Sequence, residues 1–400
     1  MELIRFDSSP CVFPGPGIPL LPHRLECLTA TSTRFASAVT RNSRHFRHFT
    51  RGRYALGEAY RIAGLNMYGA LLAPAYHCVT MLDPAVNLGA DILLYPLHLD
   101  LTPDLVGLSK LLQVAKKPVK ALLATHYFGF VQDFSTLKKW CDEHGITLIE
   151  DCSHVMFSED FRSNGVGIYG KLVTASPYKF FSCEDGGLLY ASDSGLLDGS
   201  VTKTPSLMDE LRGIKRFIEK AQSASRVPFD ISRVGDRLEK LVENSHITFG
   251  VQRVPYLKPS RHFSGLETSK SSLRSSRWLT RFTNAKEIIA RRRRNFQRWA
   301  EAVAILPHCH ALYGKMPADR TPYMFPLCID SPESHFYRLK LLGFPIWRWD
   351  EMAYSDCKVA QNYRLHLLHL PVHQSLSEAQ MDWMIAVLGE TLRRPLRVQQ

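Results

Sequence analysis

Between residues 52 and 192 short apolar runs alternate with amphipathic stretches, and this alternation most limits what the chain can fold into. GALLAPAY (69–76), DILLYPL (91–97), VKALLATHY (119–127), ITLIED (146–151), KLVTAS (171–176) and GGLLYAS (186–192) read as strands buried on both faces. Between them, GRYALGEAYRIAGL (52–65), TPDLVGLSKLLQVAKK (102–117) and DFSTLKKWCDEHG (133–145) have the spacing of helices. The second opens on a capping threonine, Thr102, and the third ends at a glycine. VTMLDPAVNLGA, interrupted by Pro84, reads as a broken helix. The pattern predicts an α/β fold with a mostly parallel central sheet. Such sheets take ligands beyond the carboxyl ends of their strands. The residues to watch are therefore Tyr76 and His77, His126 and Tyr127, Asp151 to His154, and Thr174 to Lys179.

Residues 196–250 carry helical patterns such as SLMDELRGIKRFIEKAQ. After a long helix near 280–305 the pattern becomes α+β. YMFPLCID (323–330) and FPIWRW (344–349) read as strands, and ESHFYRLKLLG and SEAQMDWMIAVLGETL as helices. The expected organisation is an irregular segment at 1–45, a large α/β domain at 46–245 and a smaller α+β domain at 246–400. No run of eighteen apolar residues predicts a membrane span. MELIRFDSSPCVFPGPG lacks the charged and apolar regions of a signal peptide. The nine cysteines are scattered, with no CxxC pair, which argues against zinc and for free thiols in the cytoplasm. The net charge of +12 suits an anionic ligand, whether nucleotide, phosphate cofactor or nucleic acid. The most basic run, RRRR (291–294), lies in NAKEIIARRRRNFQRWAEAVA and reads as the solvated face of an amphipathic helix; no nucleic-acid fold signature accompanies it.

One lysine stands out. In ASPYKFFSCEDGGLLY (175–190), Lys179 has ring-bearing neighbours, and Gly186-Gly187 follow. A buried lysine is costly unless its charge is lost or paired. Asp151 ends a strand, and Lys179 follows another strand 28 residues later. Alone, the aspartate reads equally well as a cap and the lysine as a solvated strand end. Together they form a pair that pyridoxal phosphate requires: an amine for its aldehyde and a carboxylate for its ring nitrogen. Thr174 offers a hydroxyl to the phosphate, and the helix beginning at Gly52 offers N–H groups and a favourable dipole.

With these residues in order, the sequence resembles the DegT/DnrJ/EryC1/StrS aminotransferases, the sugar aminotransferase branch of the fold-type I pyridoxal-phosphate enzymes. GRYAL (52–56), LLAPAYHCVT (71–80), THYFGFVQDF (125–134), HGITLIEDCSH (144–154), KFFSCEDGG (179–187) and LHLPVHQSLSEAQ (367–379) carry the likeness. The resemblance implies that Lys179 attaches to the cofactor and moves the proton. It implies that Asp151 pairs with the ring nitrogen, that His154 lies near the phenolic oxygen, and that Thr174, Gly52 and Arg53 serve the phosphate end. His126 and Tyr127 would face substrate, although His126 reads equally as a structural histidine. Two departures stand out. Cys78 falls where the family often places an aromatic residue over the cofactor, leaving His77 as a candidate to stack. SRHFSG (260–265) falls where the family has an Asn-Tyr-Arg stretch from the neighbouring subunit. His373 reads as structural, and Trp347, Arg348, Trp349 and Asp350 as core or binding wall. The resemblance further implies a homodimer, an amino-acid donor such as glutamate, and a nucleotide-linked keto-sugar acceptor in polysaccharide or glycoconjugate biosynthesis. The rival expectations are a same-fold enzyme acting on a non-sugar ketone and a non-catalytic relative that binds pyridoxal phosphate or a nucleotide sugar.

Overall fold

The computed structural model describes residues 1–7, 12–29, 44–156, 165–223, 227–243 and 250–394. The first eight strands are β1 (Glu2–Asp7), β2 (Phe46–Phe49), β3 (Ala70–Pro74), β4 (Asp91–Tyr95), β5 (Val119–Thr125), β6 (Thr147–Asp151), β7 (Leu172–Ala175) and β8 (Gly187–Ala191). All but β1 form a seven-stranded sheet in the order β2-β8-β7-β6-β5-β3-β4. The five strands from β7 to β4 are parallel, and β8 and β2 add antiparallel at one side. The apolar runs become strands because helices cover both faces: every residue of β3, β7 and β8 is buried. β4 and β5 flank β3 on opposite sides, so the strand order reverses there and opens a crevice at the carboxyl ends.

The helices of this half are α1 (Gly52–Ile62), α2 (Val79–Asn87), α3 (Leu105–Val114) and α4 (Ser135–Glu143). Two expectations are corrected. α3 is capped by Asp104, whose carboxylate accepts from the N–H groups of Val106 and Gly107, while Thr102 bonds to Asp100 instead. α2 runs unbroken through Pro84, since a proline there forfeits only one ladder bond, to the Thr80 carbonyl.

The later elements are α5 (Leu207–Ser223), α6 (Val234–Glu243), β9 (Gly250–Pro255), α7 (Arg274–Phe282), α8 (Ala285–Val303), β10 (Cys309–Ala311), β11 (Met324–Ile329), α9 (Pro332–Leu341), β12 (Met352–Ala353), α10 (Lys358–His366), β13 (Leu367–Pro371) and α11 (Glu378–Arg393). The antiparallel sheet β10-β11-β13 packs with α8, α9 and α11 around Phe296, Trp299, Phe325 and Trp383. A third sheet, β12-β1-β9, corrects the irregular reading of the first residues: β1 is zipped to two strands from the far half of the chain. FPIWRW forms no strand, only a bridge from Trp347 to His369, because Pro345 lacks a ladder donor.

The glycine pair after Lys179 has a packing reason. Gly186 has φ +150°, and a Cβ on Gly187 would lie 2.2 Å from the Arg51 carbonyl oxygen and 2.8 Å from the Gly52 nitrogen. Bare backbone lets β8 back directly onto the turn that starts α1. Gly187→Ala is expected to lower stability by about 1–3 kcal/mol in urea unfolding. Gly199→Ala, whose Cβ would meet nothing within 4 Å, serves as the neutral comparison.

Candidate active site

After β7 the chain makes a 3-10 turn, Pro177–Lys179, that carries the lysine. The rings following it are anchors: Phe180 and Phe181 are both buried in the main core. Lys179 Nζ is thereby directed over the ring of Tyr323, 5.2 Å from its centre. Asp151 ends the neighbouring strand and is 3% exposed. Its Oδ1 accepts from the Ser153 N–H at 2.9 Å and from the Thr174 hydroxyl at 3.3 Å. This corrects the expectation for Thr174. Opposite Asp151 in the β6–β7 register, its hydroxyl serves the aspartate rather than a phosphate.

His154 closes the cluster. Its ring lies 4.4 Å from that of Tyr323 and 5.7 Å from that of Trp349, and its buried Nδ1 has no partner among the described residues. Burial, then the charge of Lys179, holds its pKa well below the usual range. His369 shares a 2.8 Å hydrogen bond with the Tyr76 hydroxyl, and burial followed by Lys179 pushes it down to about 3. Trp349 packs on Tyr76 at 4.7 Å and belongs to this wall, whereas Arg348 and Asp350 pair in the core and Arg348 covers Phe336.

A cradle lies at the start of α1. A Cβ on Gly52 would fall 2.1 Å from Ser176 Oγ and 3.3 Å from Ser153 Oγ, and these two hydroxyls are 3.0 Å apart. A helix N-terminus with two buried hydroxyls is a natural anion site. Ser153 and Ser176 were missed by sequence reasoning, although each lies within three residues of Asp151 or Lys179. Arg53 belongs to this first turn, but its guanidinium turns away to the carbonyl of His262.

Other expected site residues face inward. His77 is fully buried; its Nδ1 donates to the carbonyls of Pro74 and Ala75, and its Nε2 accepts from the Ala353 N–H. It therefore offers no free ring nitrogen and serves to lock the chain. Cys78 precedes α2 with its thiol 3.2 Å from the Thr80 hydroxyl. His126 is also structural: it bonds Glu150 at 2.9 Å, takes the Gln132 N–H on Nδ1 and stacks on Phe134. Tyr127 is buried and donates to the Tyr76 carbonyl at 2.7 Å. His126, Glu150 and Cys152 place donor atoms within 4.8 Å of one another. The Glu150 oxygens, however, already take the N–H groups of Gly167, Tyr169 and Gly170. His373 is structural, its Nε2 bonding the Pro19 carbonyl. Ser260 is tied through its N–H and hydroxyl to buried Asp83.

The chain that builds this arrangement has relatives among known proteins. Residues 33–204 match the DegT/DnrJ/EryC1/StrS aminotransferase family model. The likeness drawn from the sequence is borne out over that stretch. The chain is 25% identical over 159 residues to GDP-perosamine synthase of Vibrio cholerae, covering 39% of this chain and 42% of that one. It is 28% identical over 166 residues to L-glutamine:2-deoxy-scyllo-inosose aminotransferase of Streptomyces kanamyceticus, covering 40% and 36%. The match thus spans about two-fifths of the length of each of these curated relatives. The fold matches that of NtdA from Bacillus subtilis, solved with bound cofactor PMP, with TM-score 0.58, 15% identity, and 91% and 78% of the two chains covered. The expected fold-type I architecture is therefore present. Among the described residues, no helix is long and apolar enough to cross a membrane.

Much of the family-like region and its partner sheet depends on histidines buried neutral. Burial pushes His77 and His23 down to about 4 and His369 to about 3. Each takes a proton near 6.5 when unfolded, so the unfolded chain binds more protons as pH falls. This stabilisation is complete above about pH 6.5 and drains away as pH falls through the folded values. The urea midpoint is expected to drop steeply between pH 6.5 and pH 4.

Proposed function

We propose that this protein is a pyridoxal-phosphate-dependent aminotransferase that moves an amino group from an amino-acid donor to a keto-sugar, nucleotide-linked, acting as a homodimer. The observation that carries the reading is the convergence of Lys179, Asp151 and His154 beside the Gly52–Ser176 cradle. The residues fit the cofactor: the cradle has no room for a Cβ at Gly52, and a buried His154 Nδ1 lacks a partner among the described residues. When bound, the cofactor supplies the electron sink for transamination.

The chain supplies the rest. The first turn of α1, Ser176 and Ser153 would hold the phosphate. Asp151, oriented by Thr174 and the Ser153 N–H, would keep a proton on the ring nitrogen. Lys179 Nζ would take the aldehyde and move the proton between substrate carbon and cofactor. His154, kept neutral, would hydrogen-bond the phenolic oxygen. Tyr323, Trp349 and Phe128 wall the site with rings and exclude water.

A nucleotide-linked acceptor is supported by a cavity of about 590 Å³ beside the cradle, where Arg51, Arg53, Lys203, Arg212, Arg216 and Lys270 outnumber Glu184, Asp185, Asp209 and Glu267. A relative named for GDP-perosamine points the same way. A second reading, a ketone carried by no nucleotide, is favoured by the relative named for 2-deoxy-scyllo-inosose and by the Ser260 segment being fastened to its own chain at Asp83.

Incubation with pyridoxal phosphate and borohydride is expected to fix the cofactor to Lys179 in the wild type and not in Lys179→Ala, read by peptide mass spectrometry. Absence of that adduct in the wild type overturns the reading. Gly52→Ala is expected to weaken pyridoxal phosphate about tenfold or more while leaving pyridoxal, which has no phosphate, unaffected. Glutamate and glutamine as donors, against GDP- or TDP-linked keto-sugars and a free cyclitol ketone, then separate the two acceptor readings. Sedimentation reads the assembly state.

A further inference from the structure

Arg292 belongs to the RRRR run expected on a solvated helix face, yet it is fully buried. Its neighbours behave as expected: Arg291 pairs with Glu287, and Arg294 reaches Glu378. The Arg292 guanidinium instead enters the seam between the two main sheets. Nε donates to Gln374 Oε1 at 2.8 Å. One terminal nitrogen donates to the carbonyls of Pro322 and Tyr323 at 3.1 and 3.3 Å. The other donates to the carbonyl of Lys179 at 2.8 Å and reaches that of Phe180 at 3.5 Å, and the plane lies over the Phe180 ring. Among the described residues no carboxylate pairs directly with it; Glu26 shares Gln374 with it and acts on it through its charge.

We propose that Arg292 is a positioning residue, a single guanidinium that clamps the backbone of Lys179 to the backbone of Tyr323 and so fixes the lysine amine beneath the Tyr323 ring. The inference rests on Lys179 being the cofactor lysine, as proposed above. The turn carrying Lys179 comes from the large sheet, and Tyr323 enters β11 in the other. Two further contacts fix the Tyr323 side of the clamp, and a third fixes its lysine side. The Tyr323 N–H donates to the Phe128 carbonyl at 2.9 Å. Gly129, at φ +104°, leaves no room for a Cβ against residues 321–323. Gln374, which receives Arg292, also donates to the Phe180 carbonyl at 2.7 Å. Burial pushes the guanidinium down to about 9, so it stays charged at neutral pH and keeps its full set of donors. A lysine has one donor group and cannot span these carbonyls at once.

Arg292→Gln and Arg292→Lys would be compared with the wild type by two readouts, with urea unfolding to establish that each variant is folded. The first is the rate at which pyridoxal phosphate becomes borohydride-fixed to Lys179. The second needs no cofactor: the ratio of acetylation by acetic anhydride at Lys179 to that at exposed Lys139, taken from one digest. Attachment is expected to slow about tenfold or more in Arg292→Gln, because small misplacements of a reacting group are costly. The acetylation ratio is expected to rise as the amine swings free of Tyr323, and Arg292→Lys should restore neither readout fully. Folded Arg292 variants with wild-type attachment and a wild-type acetylation ratio would overturn the proposal. If neither variant folds, Gln374→Met, which removes the acceptor of Nε, decides by the same two readouts. A wild type that never attaches pyridoxal phosphate overturns the aminotransferase reading alone, and the acetylation ratio still judges the clamp.

Discussion

Where β8 passes the turn into α1, two backbones meet with no side chain between them. Gly187 lies against Arg51 and Gly52, and Gly52 in turn leaves space only for the Ser176 hydroxyl. Two missing Cβ atoms thus set how far the helix N-terminus sinks into the sheet. That depth brings its N–H groups to Ser176 and Ser153, and hence the anion cradle to within reach of the Asp151 and Lys179 strand ends. A side chain at either position would lift α1 and separate the cradle from Asp151 and Lys179.

The second constraint is electrostatic. A guanidinium removed from water needs every donor used, because the desolvation of an ion exceeds what one hydrogen bond returns. Arg292 meets this with backbone carbonyls and one amide, an arrangement that trades water for fixed dipoles. His77 and His369 follow the same rule with neutral rings bonded to carbonyls, an N–H group and a hydroxyl, and His126 spends its ring nitrogens on a carboxylate and an N–H group. The polar interior is therefore mostly satisfied. The Nδ1 of His154, with no partner among the described residues, is notable because its ring lies among those of Tyr323, Trp349 and Phe128, beside Lys179.

The sheet was legible because strands buried on both faces must be apolar throughout, and six such runs recur between residues 69 and 192. Asp151 and Lys179 were legible because strand ends are where parallel sheets take ligands. The errors fell where a residue's direction matters. Thr174 and Ser176 are two residues apart and both bear hydroxyls, and only the turn at Pro177 decides which of them reaches α1. His77, His126 and Tyr127 sit at the right strand ends but point into the protein, which spacing cannot reveal. Tyr323, His369 and Arg292 join the site from more than a hundred residues downstream, through pairings no local pattern encodes. FPIWRW looked like a strand by composition, yet one proline denied it a ladder.

The sheet β12-β1-β9 has a consequence for how the chain is made. β1 spans Glu2–Asp7, but its partners begin at Gly250 and Met352. At ribosomal speeds of about 5–20 residues per second, this strand emerges on the order of ten seconds or more before its first partner exists. The seven-stranded sheet, whose partners all lie between residues 46 and 191, has no such delay. The molecule is thus arranged to assemble the half that carries Asp151 and Lys179 early and to seal itself late. During that interval Leu3 and Ile4, which end up buried, remain exposed and available to a chaperone or a wrong strand.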